Sequence, residues 1–343
     1  MKHTRILLLI ALLAAAAVGS SRLDTATITV MNTNDNGTGS LRQALADAVD
    51  GDTINFNSSL NGQTITLTSG ELLVDKRVTI SGPGANTLAV DANHASRVFY
   101  IDSGKTVTIS GLTIENGSVI LPDDVGAGIY NHGATVTVSN CTVSNSTLSG
   151  NSATNSSGGG IYRNGYSGSA TVTINNSTLS GNSASSGGGI ISDGAGQNGS
   201  ATLTINNSTL SGNSATAYLG TDGSGGGIAS TGQQQGSAMV TINNSTLSGN
   251  SAIGSGGGIF NNGFAGSATL TVGSTILNAG ASGANIFTFS GTVTSQGYNL
   301  SSDNASALLN QSTDQNSTDD VKPLGEQRLP DLYSCVVDRQ PGD

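Results

Sequence analysis

The sequence predicts an all-β chain: a right-handed parallel β-helix (β-solenoid) with an N-terminal amphipathic capping helix. Three observations carry that reading. The ten-residue string Asn-Asn-Ser-Thr-Leu-Ser-Gly-Asn-Ser-Ala is written out three times, at 175–184, 206–215 and 243–252, after an altered copy from Val143 to Ala153. A second string, Gly-Gly-Gly-Ile, follows each copy and ends at Ile161, Ile190, Ile228 and Ile259. Between the strings, branched apolar residues alternate with Thr or Ser, the period-two signature of a strand with one buried face. A fixed period near thirty residues means one unit stacked on itself. Helical repeats are disfavoured, because Gly-Gly-Gly, Ser, Thr, Asn and β-branched residues are poor in helix interiors.

Residues 1–20 read as a secretory signal peptide. Lys2 and Arg5 give a positive start, Ile6 to Val18 an apolar stretch, and Ala17-Val18-Gly19 a small-residue cleavage site. No later segment is apolar enough to cross a bilayer as a helix. Residues 21–125 hold the N-terminal cap and the first coils. Thr38 to Asp50 is the one clear helix: Ser40 and Gln43 make a capping box, and Leu41, Ala44, Leu45 and Ala48 share a face. Such a helix covers the first exposed layer of core and a sheet edge. Short strands follow, at 53–56, 64–68, 72–74, 77–80, 87–90, 97–101 and 106–114.

Residues 126–276 form the repeat coils. The corresponding leucines Leu148, Leu179, Leu210 and Leu247 are 31, 31 and 37 residues apart. Length changes fall in turns, at 191–199 and 216–224, where a stacked coil tolerates insertion. The inward residues are Val172, Ile174 and Leu179, and their counterparts one coil on. Identical Asn residues at a corner then hydrogen-bond up and down the stack. With one coil per period, roughly eight to ten coils are expected. Residues 277–317 add C-terminal coils. In the tail, 318–343, Pro and Arg appear and the Ser/Thr/Gly/Asn pattern stops.

Of 343 residues, 49 are Gly and only 4% aromatic, with no Trp, too few large side chains for a compact core of this size. The net charge is −10, or −12 once the signal is removed, with no basic patch. That argues against nucleic acid and anionic lipid as partners. Only Cys141 and Cys335 are present, so no disulfide framework is implied. Cys141 sits where the next unit carries Ser177, with Asn140-Cys141-Thr142 against Asn176-Ser177-Thr178.

Chemistry-bearing residues are sparse. From Val125 to Ser302 the acids are Asp193 and Asp222, the strong base is Arg163 and the His is His132. Asp193 and Asp222 lie in turns about one coil apart, and a carboxylate pair is what glycoside hydrolysis needs. The densest polar cluster is Asp91, His94, Arg97 and Asp102, at a strand-to-turn junction where such residues also serve local hydrogen bonding. Calcium ligands are offered by the Asn34–Thr38 loop and by Asp123 and Asp124. Otherwise no cofactor or metal is expected. Thr pairs at 135/137, 171/173, 202/204 and 269/271, interrupted at Met239, form an outward Thr-x-Thr array. It resembles the ice-binding faces of some solenoid antifreeze proteins, and the preference of Thr for exposed strands produces the same pattern.

The pairing of Leu-Ser-Gly-Asn-Ser-Ala with Gly-Gly-Gly-Ile resembles the repeat of polymorphic outer-membrane proteins, with Leu148, Leu179, Leu210 and Leu247 where that family carries Phe. Gly39-Ser-Leu-Arg-Gln-Ala-Leu-Ala-Asp-Ala48, Gly51-Asp-Thr-Ile54 and Gly82-Pro-Gly84 look like the start of large bacterial right-handed β-helix proteins of the pectin-lyase-like class. Ser295-Gln-Gly-Tyr-Asn-Leu-Ser-Ser-Asp303 resembles a segment near their end. The resemblance spans residues 26–310 and implies fold and export. The expected function is a non-enzymatic, secreted or cell-surface (bacterial extracellular or outer-membrane), adhesin-like module that presents Asn/Ser/Thr ladders to a carbohydrate or protein. The alternative is a polysaccharide lyase or glycoside hydrolase. The similar β-helix lyases use calcium-binding acids and an Arg or Lys base, types found among Asp91, His94, Arg97 and Asp102.

Overall fold

The computed structural model describes residues 25–120, 125–132, 139–144, 147–165, 168–217 and 223–316. The signal segment, the tail from 318, Asp123, Asp124, Thr135, Thr137, Asp222 and Cys335 lie outside the described residues. Among those described, the strands build parallel sheets of 10, 14 and 8 strands, each strand pairing with its counterpart one coil away. With the right-handed sense that parallel crossovers take, this is the right-handed parallel β-helix expected. No helix of the described residues is long and apolar enough to cross a membrane.

One coil shows why the repeat folds this way. Ser169–Asn175, Thr178–Ser180, Ser183–Ser186 and Ile190–Asp193 are its strands. In the first, Ala170, Val172 and Ile174 point inward and are at most 1% exposed, while Thr171 and Thr173 stay half-exposed. Asn176 turns the first corner at φ +49°, a left-handed conformation that Asn tolerates. The next coil repeats every partner in register, with Val172 on Leu203, Ile174 on Ile205 and Leu179 on Leu210. Each such side chain contributes roughly 1.5–3 kcal/mol on burial. Gly-Gly-Gly brings backbones together at the corner before the Ile strand. A Cβ on Gly189 would stand 2.5 Å from the carbonyl oxygen of Gly227 in the next coil. Only Gly fits there.

Amide ladders occupy two corners. Asn182 Nδ2 donates to Asn213 Oδ1 at 2.9 Å, and Asn213 Nδ2 donates to Asn250 Oδ1 at 2.9 Å, all buried. Asn151 joins the same chain through Asn182 at 2.9 Å. A second, half-exposed ladder runs Asn243 to Asn206 to Asn175.

Several expectations need correction. The helix is shorter than predicted, Leu41–Asp47. Ala48 is already extended, and the buried Asp52 carboxylate draws the chain back by accepting from Val49 and Ala26 N–H groups. The capping box is half made: Ser40 accepts from the Gln43 N–H at 3.1 Å, but the Gln43 amide donates to Asp47. Leu41, Ala44 and Leu45 are buried, and the helix packs against Thr27–Val30 and Leu72–Val74. The 106–114 stretch is two strands, Thr106–Ser110 and Thr113–Glu115, because Gly111 turns a corner at φ +63°. Ile191 lies inside a strand and is 7% exposed, so the variable turn begins at Gly194. Cys141 pairs in register with Val107 and Val172 rather than with a Ser, since strand alternation, not string similarity, sets its position.

The Asn34–Thr38 loop is committed to the helix. Asp35 pairs with Arg42 at 2.7 Å and accepts from Thr68 and Ser69. Burial acts to raise its pKa, but the hydrogen bonds from Ser69, Arg42 and Thr68 outweigh it and bring it to about 2. A carboxylate held below its unfolded value stabilises the fold above pH ~4, and that contribution is lost as pH falls from there through ~2. Asp35→Asn is therefore expected to cost about 1–2 kcal/mol at pH 7 and close to nothing at pH 2. Urea melts of both proteins across this range check it; a cost independent of pH counts against the ion pair.

Candidate interaction face

The exterior of the ten-stranded sheet is the most regular surface of the molecule. Every strand in it carries Thr at one register position: Thr27, Thr53, Thr79, Thr108, Thr142, Thr173, Thr204, Thr241, Thr271 and Thr294. The repeat copies explain the identity of the middle strands. They do not explain the first four or the last, whose flanking sequences differ. At strand spacing the file is about 43 Å long. Apart from Thr142, whose side chain lies outside what the structure describes, these threonine hydroxyls make no hydrogen bonds to protein among the described residues and are half-exposed or exposed.

Two further files flank it. On one side run Thr106, Asn140, Thr171, Thr202, Met239, Thr269 and Thr292, with Met239 51% exposed. The predicted array thus continues through Asn140 and Thr142, not through Thr135 and Thr137. On the other side run Thr29, Asn55, Ser81, Ser110, Ser144, Asn175, Asn206 and Asn243. This last file borders an open groove of ≈ 600 Å³ lined by Asn175, Asn206, Asn207, Asn243, Asn244 and Gln296. None of the three files holds a charged residue. The face offers uncharged donors and acceptors on a rigid grid, with methyl groups between them.

The predicted cluster Asp91, His94, Arg97 and Asp102 is placed differently. Asp91 ends the strand Leu88–Asp91 of the fourteen-stranded sheet, where it accepts from the Asn93 N–H and sits opposite Glu115. Burial, then the charge of Asp91, raises the Glu115 pKa. His94 is exposed in the following turn at φ +54°. Arg97 is 5% exposed and tied down. Its Nε donates to the carbonyls of Val125 and Gly126, its Nη1 pairs with Glu71, and its guanidinium lies 5.1 and 5.6 Å from the Tyr130 and Tyr100 rings. Asp102 follows the strand Phe99–Ile101 and accepts from the Ser103 N–H. His94 and Arg97 share an open groove of ≈ 460 Å³ with Glu71; Asp91 and Asp102 do not line it. Asp193 accepts from Tyr162, Thr231 and the Ala195 N–H, and its predicted partner Asp222 is not described.

An aromatic file went unread in the sequence. Tyr100, Tyr130 and Tyr162 stack edge-on along the eight-stranded sheet, their centroids 5.2 and 5.6 Å apart. Burial raises all three phenols, Tyr162 most. The signal was Tyr following the first apolar residue of successive strands, as in Phe99-Tyr100, Ile129-Tyr130 and Ile161-Tyr162.

No family model matches the chain, and no curated protein matches it. Among solved structures, the chain is similar to a PL6-family alginate lyase, AlyGC, in a mutant form, at 13% identity and a TM-score of 0.30. The match covers 76% of this chain, and the chain spans 40% of that protein's length.

Proposed function

We propose that the protein is an exported, non-enzymatic β-helix that acts outside the cell or on its surface as an adhesion module, binding neutral carbohydrate on its ten-stranded sheet. The unbroken Thr file beside an amide-lined groove supports this reading. Hydroxyl and carboxamide groups held on a rigid scaffold match sugar hydroxyls without ordering cost, the general advantage of a preformed site. Charge selects the class of sugar. An acidic chain with no cation on this face repels uronate polymers and leaves neutral glycans as the complement. The signal-like segment 1–20 supports export.

The test uses the mature chain on a panel of neutral and acidic polysaccharides, with and without calcium, reading both retention and release of unsaturated or reducing ends. Retention of neutral polymers without product is the expected result. Turnover of an acidic polymer that Arg97→Ala or Asp102→Ala abolishes, with the circular-dichroism spectrum and melting unchanged, would establish the lyase or hydrolase reading instead. Deleting the coil 175–205 is expected to shorten the rod and leave it folded; collapse of the fold in circular dichroism would refute modular stacking.

A further inference from the structure

The lumen behind the eight-stranded sheet changes character partway along. At one inward register position the residues run Val74, Ile101, Asn131, Arg163, Ser192, Ser230, Asn261. The five polar residues are all 0% exposed. The neighbouring inward file, from Leu72 and Phe99 through Ile129, Ile161, Ile190, Ile228 and Ile259, stays apolar throughout. Part of the polar file is satisfied by the opposite wall. Arg163 Nη1 donates to the Ala170 carbonyl at 2.9 Å, its Nη2 donates to the Ser192 hydroxyl, and the Asn131 and Asn261 amides donate to carbonyls of Thr171 and Ala268. Four polar atoms of the file are buried without a partner among the described residues: Asn131 Oδ1, Arg163 Nε, Ser230 Oγ and Asn261 Oδ1. Orphans at four of the five polar positions of one file mark a place that something polar fills, since buried groups of this kind are otherwise paired.

The charge balance of the lumen points to an anion. Among the described residues the buried charged side chains are Asp52, Arg97 and Arg163, and Asp52 lies at the N-terminal end beside Ala26 and Val49. Asp193, the nearest acid in register, faces outward and forms no ion pair with Arg163 among the described residues. Burial pushes the Arg163 guanidinium down to about 9, with Asp193 acting in the opposite sense, so it stays charged at neutral pH. A buried guanidinium whose partners are all neutral is costly to hold without a counter-charge. The corner limits the size of that counter-charge. A Cβ on Gly165, Gly194 or Gly232 would stand 2.1, 1.8 or 1.7 Å from a backbone carbonyl oxygen, so the wall is closed there.

We infer that the lumen beside Arg163 holds a monatomic halide, chloride in ordinary buffers, bound at the Arg163 Nε with water completing the orphaned groups of Asn131, Ser230 and Asn261. The closed wall leaves no side opening for an ion as large as sulfate or phosphate. The ion enters when the coils form. Folding therefore depends on chloride by mass action, the folding constant rising about ten-fold per ten-fold increase in chloride above saturation.

The experiment compares urea unfolding midpoints of the mature protein in chloride, bromide, gluconate and sulfate at matched ionic strength, for wild type and for Arg163→Met. Wild type is expected to be more stable in chloride and bromide than in gluconate, and Arg163→Met is expected to lose that advantage, with sulfate reporting the general salt effect in both proteins. Equal wild-type midpoints in chloride and gluconate overturn the proposal, as does a chloride effect that survives in Arg163→Met. Should Arg163→Met not fold, crystals of wild type refolded in bromide decide it. One anomalous peak beside Arg163 is expected, and its absence sinks the proposal.

Discussion

Asn213→Ala is expected to cost about 3–5 kcal/mol, because it orphans a set of buried groups at about 1–3 kcal/mol each. Asn213 Oδ1 accepts from both the backbone N–H and the side-chain amide of Asn182, at 3.0 and 2.9 Å. Its Nδ2 donates to Asn250 Oδ1 and to the Leu179 carbonyl, at 2.9 and 3.0 Å. Truncation leaves the Asn182 N–H and the Leu179 carbonyl unpaired inside the stack and opens a void between coils. Asn206 provides the comparison. Its amide also joins a ladder, to Asn175 and Asn243, but it is half-exposed and water replaces the lost bonds. Asn206→Ala is expected to cost about 1 kcal/mol or less. Equilibrium unfolding of both variants measures the difference. Similar costs at the two positions would show that burial does not govern these ladders.

Charge placed on the Thr file is expected to abolish binding while sparing the fold. Thr173→Lys with Thr241→Lys puts two ammonium groups on the face two strands apart, at about 9.6 Å, near the screening length of physiological salt. Surface substitutions of this kind change stability by about 1 kcal/mol or less. Affinity for a neutral glycan is expected to fall about 100-fold, which is about 2.7 kcal/mol, because each lysine needs its water and displaces a flat array of hydroxyls. The matched control is Ser180→Lys with Ser248→Lys on the outer face of the fourteen-stranded sheet, where binding is expected to be unchanged. Titration of immobilised glycan with all three proteins provides the readout. If the control weakens binding as much as the Thr variant, the fourteen-stranded sheet carries the contact instead.

The candidate site was legible in part. Thr-x-Thr pairs were visible wherever strands were copies, as at Thr171/Thr173 and Thr202/Thr204. The file through Thr27, Thr53, Thr79 and Thr108 was not, because nothing local aligns four dissimilar strands. Arg97 read as a base because its type and its neighbours fitted one. Its partners Glu71, Tyr130 and Val125 are distant in sequence and become neighbours only when coils stack. They turn an apparent catalytic cation into a brace.

The sequence alone determined the architecture, the coil length and the inward residues. Those properties follow from periodicity, and periodicity is written locally: alternation sets the faces, repeated Gly and Asn set the corners. Register between coils was decided by tertiary structure. It placed Cys141 on Val172, ran ten threonines into one line and enclosed Arg163 among polar neighbours in the lumen. Each of these depends on which residue lies one coil above another. That choice is made by closing the coil on its apolar core, and no single strand contains it.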